Sequence, residues 1–264
     1  MIKFFRKIRQ RLLTENKFSK YLLYAVGEIV LVVIGILIAL SINNWNESLK
    51  TQSRISLHYK ELKEELKFDL ERINQHIARL ETIDNHGIYI RAYLNMKLVE
   101  IDTPRLKRAF LGAGFYVTFD ASRVAYDNLV SSGDINLFAN NALKRKLGEY
   151  HNPGGWRKSV DAGYNRQSIE EYHHYRHYFI EPLMDRSRVN NEVLVRDLSN
   201  EFNLLDKGIE DYTIEWNKVR EDKEYSVKLD RLHTVRLNQK WLYYGLRNSM
   251  KAMIDMINQE LDNE

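Results

Sequence analysis

Residues 21–42 read YLLYAVGEIVLVVIGILIALSI, an apolar run that contains a single charged residue, Glu28. An α-helix rises 1.5 Å per residue, so about 20 apolar residues match a bilayer hydrocarbon core about 30 Å thick. The run therefore predicts one transmembrane helix. It also decides where the remainder of the chain lies, because the two ends of a single span must be on opposite sides of the membrane.

The two flanks of the run differ in charge. Residues 1–20 contain seven Lys or Arg residues against one acid, whereas residues 43–54 contain two against one. A Lys/Arg excess keeps a short flank in the cytoplasm. The asymmetry predicts a single-pass protein of the cell inner membrane, with the N-terminus in the cytoplasm and the bulk of the chain in the periplasm.

Three regions follow from this topology: a cytoplasmic basic segment at 1–20, a transmembrane helix at 21–42, and an extracytoplasmic helical domain at 43–264. The first 13 residues carry apolar side chains at helical spacing between basic ones. Such an amphipathic helix can lie on an anionic leaflet, or the segment can act only as a topology signal. Both interpretations are compatible with the lipid bilayer as the first partner.

A cleaved signal peptide is the alternative to an uncleaved anchor. Ala39, Leu40 and Ser41 resemble a small-x-small cleavage site. The apolar run, however, is longer than the 7–15 residues typical of a signal-peptide core, and the bulky Ile42 follows the candidate site. We therefore predict a signal anchor that remains attached.

The composition excludes several function classes. The chain of 264 residues has a net charge of +4, but seven of its 40 basic and two of its 36 acidic residues lie in residues 1–42. The remainder is close to neutral, so no nucleic-acid surface is predicted. Cysteine is absent, which excludes a catalytic thiol, an iron–sulfur cluster and a Cys-ligated zinc site. We predict no cofactor.

Apolar residues recur every three or four positions beyond the span, which predicts helices. We expect an all-α fold: the transmembrane helix continues into a stalk that ends near Asn85–Gly87, and an antiparallel multi-helix bundle follows. The predicted later elements are a helix at 88–98, a helix at 103–111 capped by Thr103, and an extended segment at 115–119. They continue with a helix at 123–130 capped by Ser122, a helix to 150 capped by Asn140 or Asn141, a break at 152–155, and helices at 158–184 and 224–261.

Two blocks of sequence carry a family resemblance. Residues 4–47, FFRKIRQRLLTENKFSKYLLYAVGEIVLVVIGILIALSINNWNE, and residues 126–152, YDNLVSSGDINLFANNALKRKLGEYHN, resemble a bacterial family of single-span membrane proteins that is catalogued only as a domain of unknown function. The resemblance implies a helical protein of the cell envelope and assigns no activity. It provides no catalytic residues.

The most informative candidate site is within the span. A carboxylate in hydrocarbon costs about 3 kcal/mol or more, so it commonly faces a partner. Tyr24, Glu28, Val32, Gly35 and Ala39 fall on one helical face, and small residues four apart permit close helix approach. This face predicts a homo-oligomer or docking to another inner-membrane protein. The alternatives are a hydrated or protonated Glu28 near the cytoplasmic side, and a proton carrier.

A second candidate is a metal site on one helical face, formed by Glu170, His173, His177 and Glu181. Glu-x-x-His is half of a di-iron motif, which requires a second such helix, and the zinc motif HExxH is absent. A polar, aromatic-rich helix face explains the same residues, so we predict no metal.

These observations favour a membrane-anchored scaffold or accessory protein of the cell envelope that acts by binding and is not an enzyme. A periplasmic ligand-sensing domain is the first alternative. It requires a membrane partner, because about 20 cytoplasmic residues are too few for a transmitter domain. A metal-dependent enzyme is the second alternative.

Overall fold

The computed structural model describes residues 18–97, 100–152, 154–173, 178–180 and 213–263. Within these ranges the chain is predominantly helical, which confirms the predicted helical class, and its strands form a single antiparallel pair. The elements in chain order are α1 (Phe18–Leu94), α2 (Thr103–Gly112), α3 (Val124–Ser131), a 3-10 turn (Asp134–Leu137), α4 (Asn141–Tyr150), α5 (Trp156–His173), β1 (Phe179–Ile180), β2 (Thr213–Ile214), α6 (Trp216–Glu221) and α7 (Lys223–Asp262).

The chain divides into two compact units, Met1–Leu57 and His58–Glu264. Helix α1 contributes residues to both. The described part of the first unit is the N-terminal portion of α1, whose side chains are largely exposed. The second unit contains the remaining part of α1 and every later element, and it has a buried apolar core.

Helix α1 is longer than the sequence predicts, because it continues through Gly87 to Leu94. Ile83 and Ile90 lie on either side of the glycine and are almost completely buried. Their packing outweighs the low helix propensity of an Asn-His-Gly triplet, about 1 kcal/mol for the glycine. Gly87 also makes room for a neighbour, since a Cβ there would lie 3.3 Å from Nη1 of Arg236.

Three of the described helices begin at a residue whose side chain accepts a hydrogen bond from the first helical turn. Asp102, not Thr103, caps α2, and its carboxylate accepts a hydrogen bond from the backbone N–H of Arg105. Asn140 caps α4, as predicted, and Asp222 caps α7. The side-chain acceptor at each of these three N-caps satisfies an N–H group that the first helical turn leaves unpaired. The N-cap residues of α3 and α6, Arg123 and Glu215, make no such side-chain hydrogen bond.

The helix predicted over residues 158–184 is too long. Helix α5 ends at His173, and Phe179–Ile180 form strand β1. Aromatic and β-branched residues favour extended backbone, and the neighbouring Tyr178 is held by a hydrogen bond from its hydroxyl to the carboxylate of Asp222. This long-range bond could not be predicted from local periodicity.

Helix α7 packs along α1 in the second unit. Arg91 of α1 forms an ion pair with Asp230 of α7 at 2.9 Å. Further back along α1, Glu81 accepts a hydrogen bond from the hydroxyl of Tyr244 at 3.3 Å. Residue numbers fall along α1 as they rise along α7, so the two helices run antiparallel over this stretch. Helix α7 also contacts α4 and α5.

One apolar cluster fills the space between the ends of α1, α2 and α7. Aromatic rings meet edge-on within it, as in the pair Phe110–Trp216, whose centroids are 5.7 Å apart. Its buried members are Ile90, Ala109, Phe110, Ala113, Tyr178, Ile214, Val219, Tyr225, Leu229 and Leu232.

Candidate functional site

The apolar part of α1 is uncovered by the described chain. Its most hydrophobic stretch of 18 residues has a mean hydropathy of 2.7, and none of that stretch is buried. A core helix of a soluble protein would be mostly buried. By length and composition this helix can cross a membrane, although a signal sequence near the N-terminus meets the same requirement.

The five residues of the predicted pairing face all belong to α1. At 100° per residue, Tyr24, Val32, Gly35 and Ala39 lie within about 40° of Glu28 around the helix. Val32 is 55% exposed, and a Cβ placed on Gly35 would have no other atom within 4 Å. Glu28 is half-buried. The pairing face and its contact with a partner both remain predictions.

The predicted metal candidates are only partly within the described residues. Glu170 is exposed on α5, and His173 is the last residue of that helix. His177 and Glu181 lie outside the described residues. Among the residues that are described, no three His, Asp or Glu side chains are grouped closely enough to hold a metal ion.

The buried carboxylate of Asp69 in α1, which was not predicted from the sequence, connects several segments of the second unit. Asp69 is fully buried and accepts four hydrogen bonds: two at 2.8 Å from the backbone N–H and hydroxyl of Ser122, one at 2.8 Å from the hydroxyl of Tyr150, and one at 3.0 Å from Arg72. Burial and the Asp69 charge raise the pKa of Tyr150, so its hydroxyl remains a donor.

The sequence contains a signal for this site. Asp69 follows Leu62 and Leu66 at spacings of seven and three, which are core positions of an amphipathic helix. Leu70, four residues after Leu66, is only half-buried. A charged residue at core spacing indicates a paired, buried group.

A second buried pair lies beside Asp69. The ring of His151 is 0% exposed, and its Nε2 lies 3.9 Å from Oε1 of Glu65. The other oxygen of Glu65 accepts a hydrogen bond from the backbone N–H of Ala125 at 2.8 Å, and the His151 ring stacks on Tyr126 at 4.3 Å.

Burial lowers the pKa of His151 to about 4 and raises the pKa of Glu65. The imidazole is therefore neutral at pH 7. A general base must contact its substrate, and this ring is enclosed by protein. A structural role fits its surroundings better than a catalytic one.

A third polar cluster fixes the segment between α2 and α3. The Gln239 side-chain amide lies 2.6 Å from Asp161 and 3.0 Å from the carbonyl oxygen of Val117, and the Tyr243 hydroxyl also donates to Asp161 at 3.2 Å. Burial raises the pKa of Asp161, although the bonds from Gln239 and Tyr243 oppose the shift. Hydrogen bonds of this kind offset the cost of burying polar groups.

The described residues thus define a predominantly helical protein with one exposed apolar helix that is long enough to cross a membrane. Its buried polar groups connect segments that are distant in the sequence.

Residues 28–157 match a family of unknown function (DUF6090). The match begins at Glu28 and includes the whole of the second block, residues 126–152, so it fits the resemblance drawn from the sequence. No curated protein and no solved structure matches the chain.

Proposed function

We propose that this protein is a single-pass protein of the cell inner membrane that acts by binding, as a scaffold or accessory subunit of a membrane complex. In this proposal residues 21–42 cross the bilayer, residues 1–20 lie in the cytoplasm and residues 43–264 lie in the periplasm. The observation that carries the proposal is the apolar stretch of α1, none of which is buried.

The energetics of that stretch favour a membrane. Fourteen large apolar side chains between Leu22 and Ile42 are 47–79% exposed. Removing each from water contributes about 1.5 kcal/mol or more, so the total is on the order of 20 kcal/mol. Trp45, 67% exposed just beyond the stretch, suits a membrane–water interface.

The pairing face supports a binding role. Within hydrocarbon, Glu28 costs about 3 kcal/mol or more, and a hydrogen bond across a helix–helix interface reduces that cost. Gly35 and Ala39 present no side chain beyond a methyl group, which lets a second helix approach closely. A second copy of this chain or another inner-membrane protein would supply the partner helix.

The periplasmic part would present its helices as an antiparallel bundle. The antiparallel ties between α1 and α7, and the packing of α7 on α4 and α5, support this arrangement. The buried carboxylates of Asp69 and Asp161 are occupied by hydrogen bonds from neighbouring segments, which is typical of groups that hold a scaffold in shape.

The experiment is photo-crosslinking in intact membranes, with a photoreactive residue at position 32. We expect a specific adduct, either a dimer or a complex with one other membrane protein. Gly35→Leu should reduce the adduct severalfold, because the added side chain holds the partner helix away. Gly27→Leu is the matched control: it lies about 100° from Glu28, and a Cβ there also meets no atom within 4 Å.

An adduct that Gly35→Leu leaves unchanged would remove the pairing face from the proposal. Equal losses in Gly35→Leu and Gly27→Leu would show that added bulk anywhere on the helix perturbs the complex, which also contradicts a specific face.

A further inference from the structure

Helix α1 continues without a break beyond the apolar run, and it includes residues 43–54, here called the juxtamembrane segment. Every side chain of this segment except that of Thr51 is exposed. Six of its twelve residues are Asn, Ser or Thr, which have a lower helix propensity than Ala, Leu, Lys or Glu. Because most helical stability in proteins comes from packing one face, a helix of this composition is expected to pack against a partner.

One face of the juxtamembrane segment carries the spacing of a coiled coil. Ile42, at the end of the apolar run, is followed by Asn46, Leu49 and Ser53 at spacings of four, three and four. Alternation of three and four is the repeat of the inward positions, a and d, of a two-stranded coiled coil. Ile42 is 59% exposed and Leu49 is 48% exposed, so the large apolar side chains of this face are accessible to a second helix.

The same alternation continues into the apolar run. Towards the N-terminus it passes through Ala39, Gly35 and Val32, which belong to the predicted pairing face. The combined face, from residue 32 to residue 53, is about 32 Å long at 1.5 Å per residue. Isolated helices shorter than about 12–15 residues are marginal in water, so the juxtamembrane segment depends on continuity with the pairing face for a stable contact.

We infer that the partner of this combined face is a second copy of the chain, and that the two juxtamembrane segments pack in parallel as a two-stranded coiled coil. The inference rests on the proposed function, because two copies with the same topology cross the bilayer in the same direction. In a pair with two-fold symmetry, each inward residue faces its own copy. The face must therefore be complementary to itself.

Asn46 meets this requirement. Its side-chain amide carries both donors and an acceptor, so two facing copies of Asn46 can hydrogen-bond to each other. With Leu49 at d, Asn46 occupies an a position. A single Asn at an a position specifies the register and the number of helices, at a cost in stability. An apolar residue there would permit other registers.

The positions beside the face are also compatible with a second copy. In a parallel pair, a g residue lies beside the e residue five positions further along the other helix, and charges at these positions select the partner. This arrangement places Trp45 beside Lys50 of the second copy, where an indole face attracts an ammonium group. The acid nearest to Lys50 is Glu47, which forms an exposed ion pair with it at 2.9 Å within the same helix. No two like charges are opposed.

The test uses the absence of cysteine from the chain, because each single-cysteine variant of the full-length protein then has one thiol. The variants are oxidised with copper phenanthroline in intact membranes, and the disulfide-linked dimer is measured over time on non-reducing gels. With helix axes about 10 Å apart, the Cα atoms of two inward copies of a residue lie about 5 Å apart, and those of two outward copies about 15 Å apart. A disulfide requires a separation below about 7 Å.

We expect dimer to form several times faster at the inward positions than at the other positions. The inward variants are Asn46→Cys, Leu49→Cys and Ser53→Cys, and the controls on the remaining faces of the same segment are Asn44→Cys, Ser48→Cys and Thr51→Cys.

A second measurement tests the packing of Leu49. In the Ser53→Cys background, Leu49→Ala should slow dimer formation severalfold, because it removes the large apolar side chain of the face within the juxtamembrane segment. Thr51→Ala in the same background is the matched control. Thr51 lies on the opposite side of the helix, so the rate should be unchanged.

Equal rates at all six positions, the fastest rate at Asn44 or Thr51, or no dimer at any position would overturn the inference. The photo-crosslink at position 32 separates this inference from the proposed function. An adduct there with a different membrane protein, together with no cysteine dimer, would contradict a second copy and retain the pairing face. Cysteine dimers with the expected pattern, together with an adduct that Gly35→Leu leaves unchanged, would support the second copy and contradict the pairing face.

Discussion

Replacing Asp69 by alanine tests whether this carboxylate holds the second unit together. The variant removes the carboxylate acceptor of the buried Tyr150 hydroxyl, which keeps only the weak acceptor Sδ of Met250 at 3.5 Å. It also removes the acceptor of the backbone N–H of Ser122, which is half-buried. Each buried polar group that loses its partner costs about 1–3 kcal/mol. The contribution of Arg72 is discounted, because its side chain is 32% exposed and screened by solvent.

The expected loss is therefore about 4 kcal/mol. For a chain of this size, 1 kcal/mol corresponds to about 2–4 °C in melting temperature, so Asp69→Ala should melt roughly 10 °C lower. The measurement is thermal unfolding of the full chain in uncharged detergent, followed by circular dichroism. Glu71→Ala is the control on the same helix: Glu71 is exposed, and its removal should cost less than about 0.5 kcal/mol.

A double-mutant cycle makes the reasoning refutable. If Tyr150 donates to Asp69, then Tyr150→Phe should cost much less in the Asp69→Ala background than in the wild type, with a coupling of about 1 kcal/mol or more. Strictly additive losses, or a melting temperature for Asp69→Ala equal to that of Glu71→Ala, would refute the role given to Asp69.

Two further predictions concern the second unit. The pKa of His151 is about 4 in the folded protein against about 6.5 unfolded. The unfolded chain therefore binds a proton first as the pH falls, and stability should decrease between pH 6.5 and 4 by up to about 3 kcal/mol, partly offset by the raised pKa of Glu65. Urea unfolding midpoints measured between pH 4 and 7 check this decrease in stability. The variant His151→Asn should depend less steeply on pH, and a pH dependence equal to that of the wild type would contradict the role given to His151. Gly112→Ala should lower the melting temperature, because its Cβ would lie 2.5 Å from the His86 ring and overpacking costs about 1–3 kcal/mol. Gly245→Ala, with nothing within 4 Å, should raise it slightly, and the same sign of change in both variants would refute the packing argument.

Much of the helical content follows from local signals in the sequence. The final helix was expected at residues 224–261 and is found at Lys223–Asp262. The cap of α4 at Asn140 could be predicted, because an N-cap depends on a side-chain acceptor at one position and not on distant contacts. Val117 and Phe119 are buried and alternate with exposed neighbours, as the alternation predicts, although that segment has no regular secondary structure.

The parts that could not be predicted depend on contacts between distant residues. Ser122 was expected to cap α3; instead Arg123 takes the N-cap position, and Ser122 donates to Asp69, 53 residues away. Gly112 of α2 comes to lie against the His86 ring of α1 only once α2 has folded onto α1. Periodicity identifies which face of a helix is apolar, but it does not identify which other helix covers that face.

The most direct test of the central claim is the location and intact mass of the full-length protein. Cells expressing it should be fractionated, and their membranes washed with alkaline carbonate, which removes peripheral proteins. The account predicts that the protein remains in the membrane pellet with residues 21–42 still attached. Recovery in the soluble fraction, or a mass that corresponds to cleavage after Ser41, would contradict a membrane-spanning anchor.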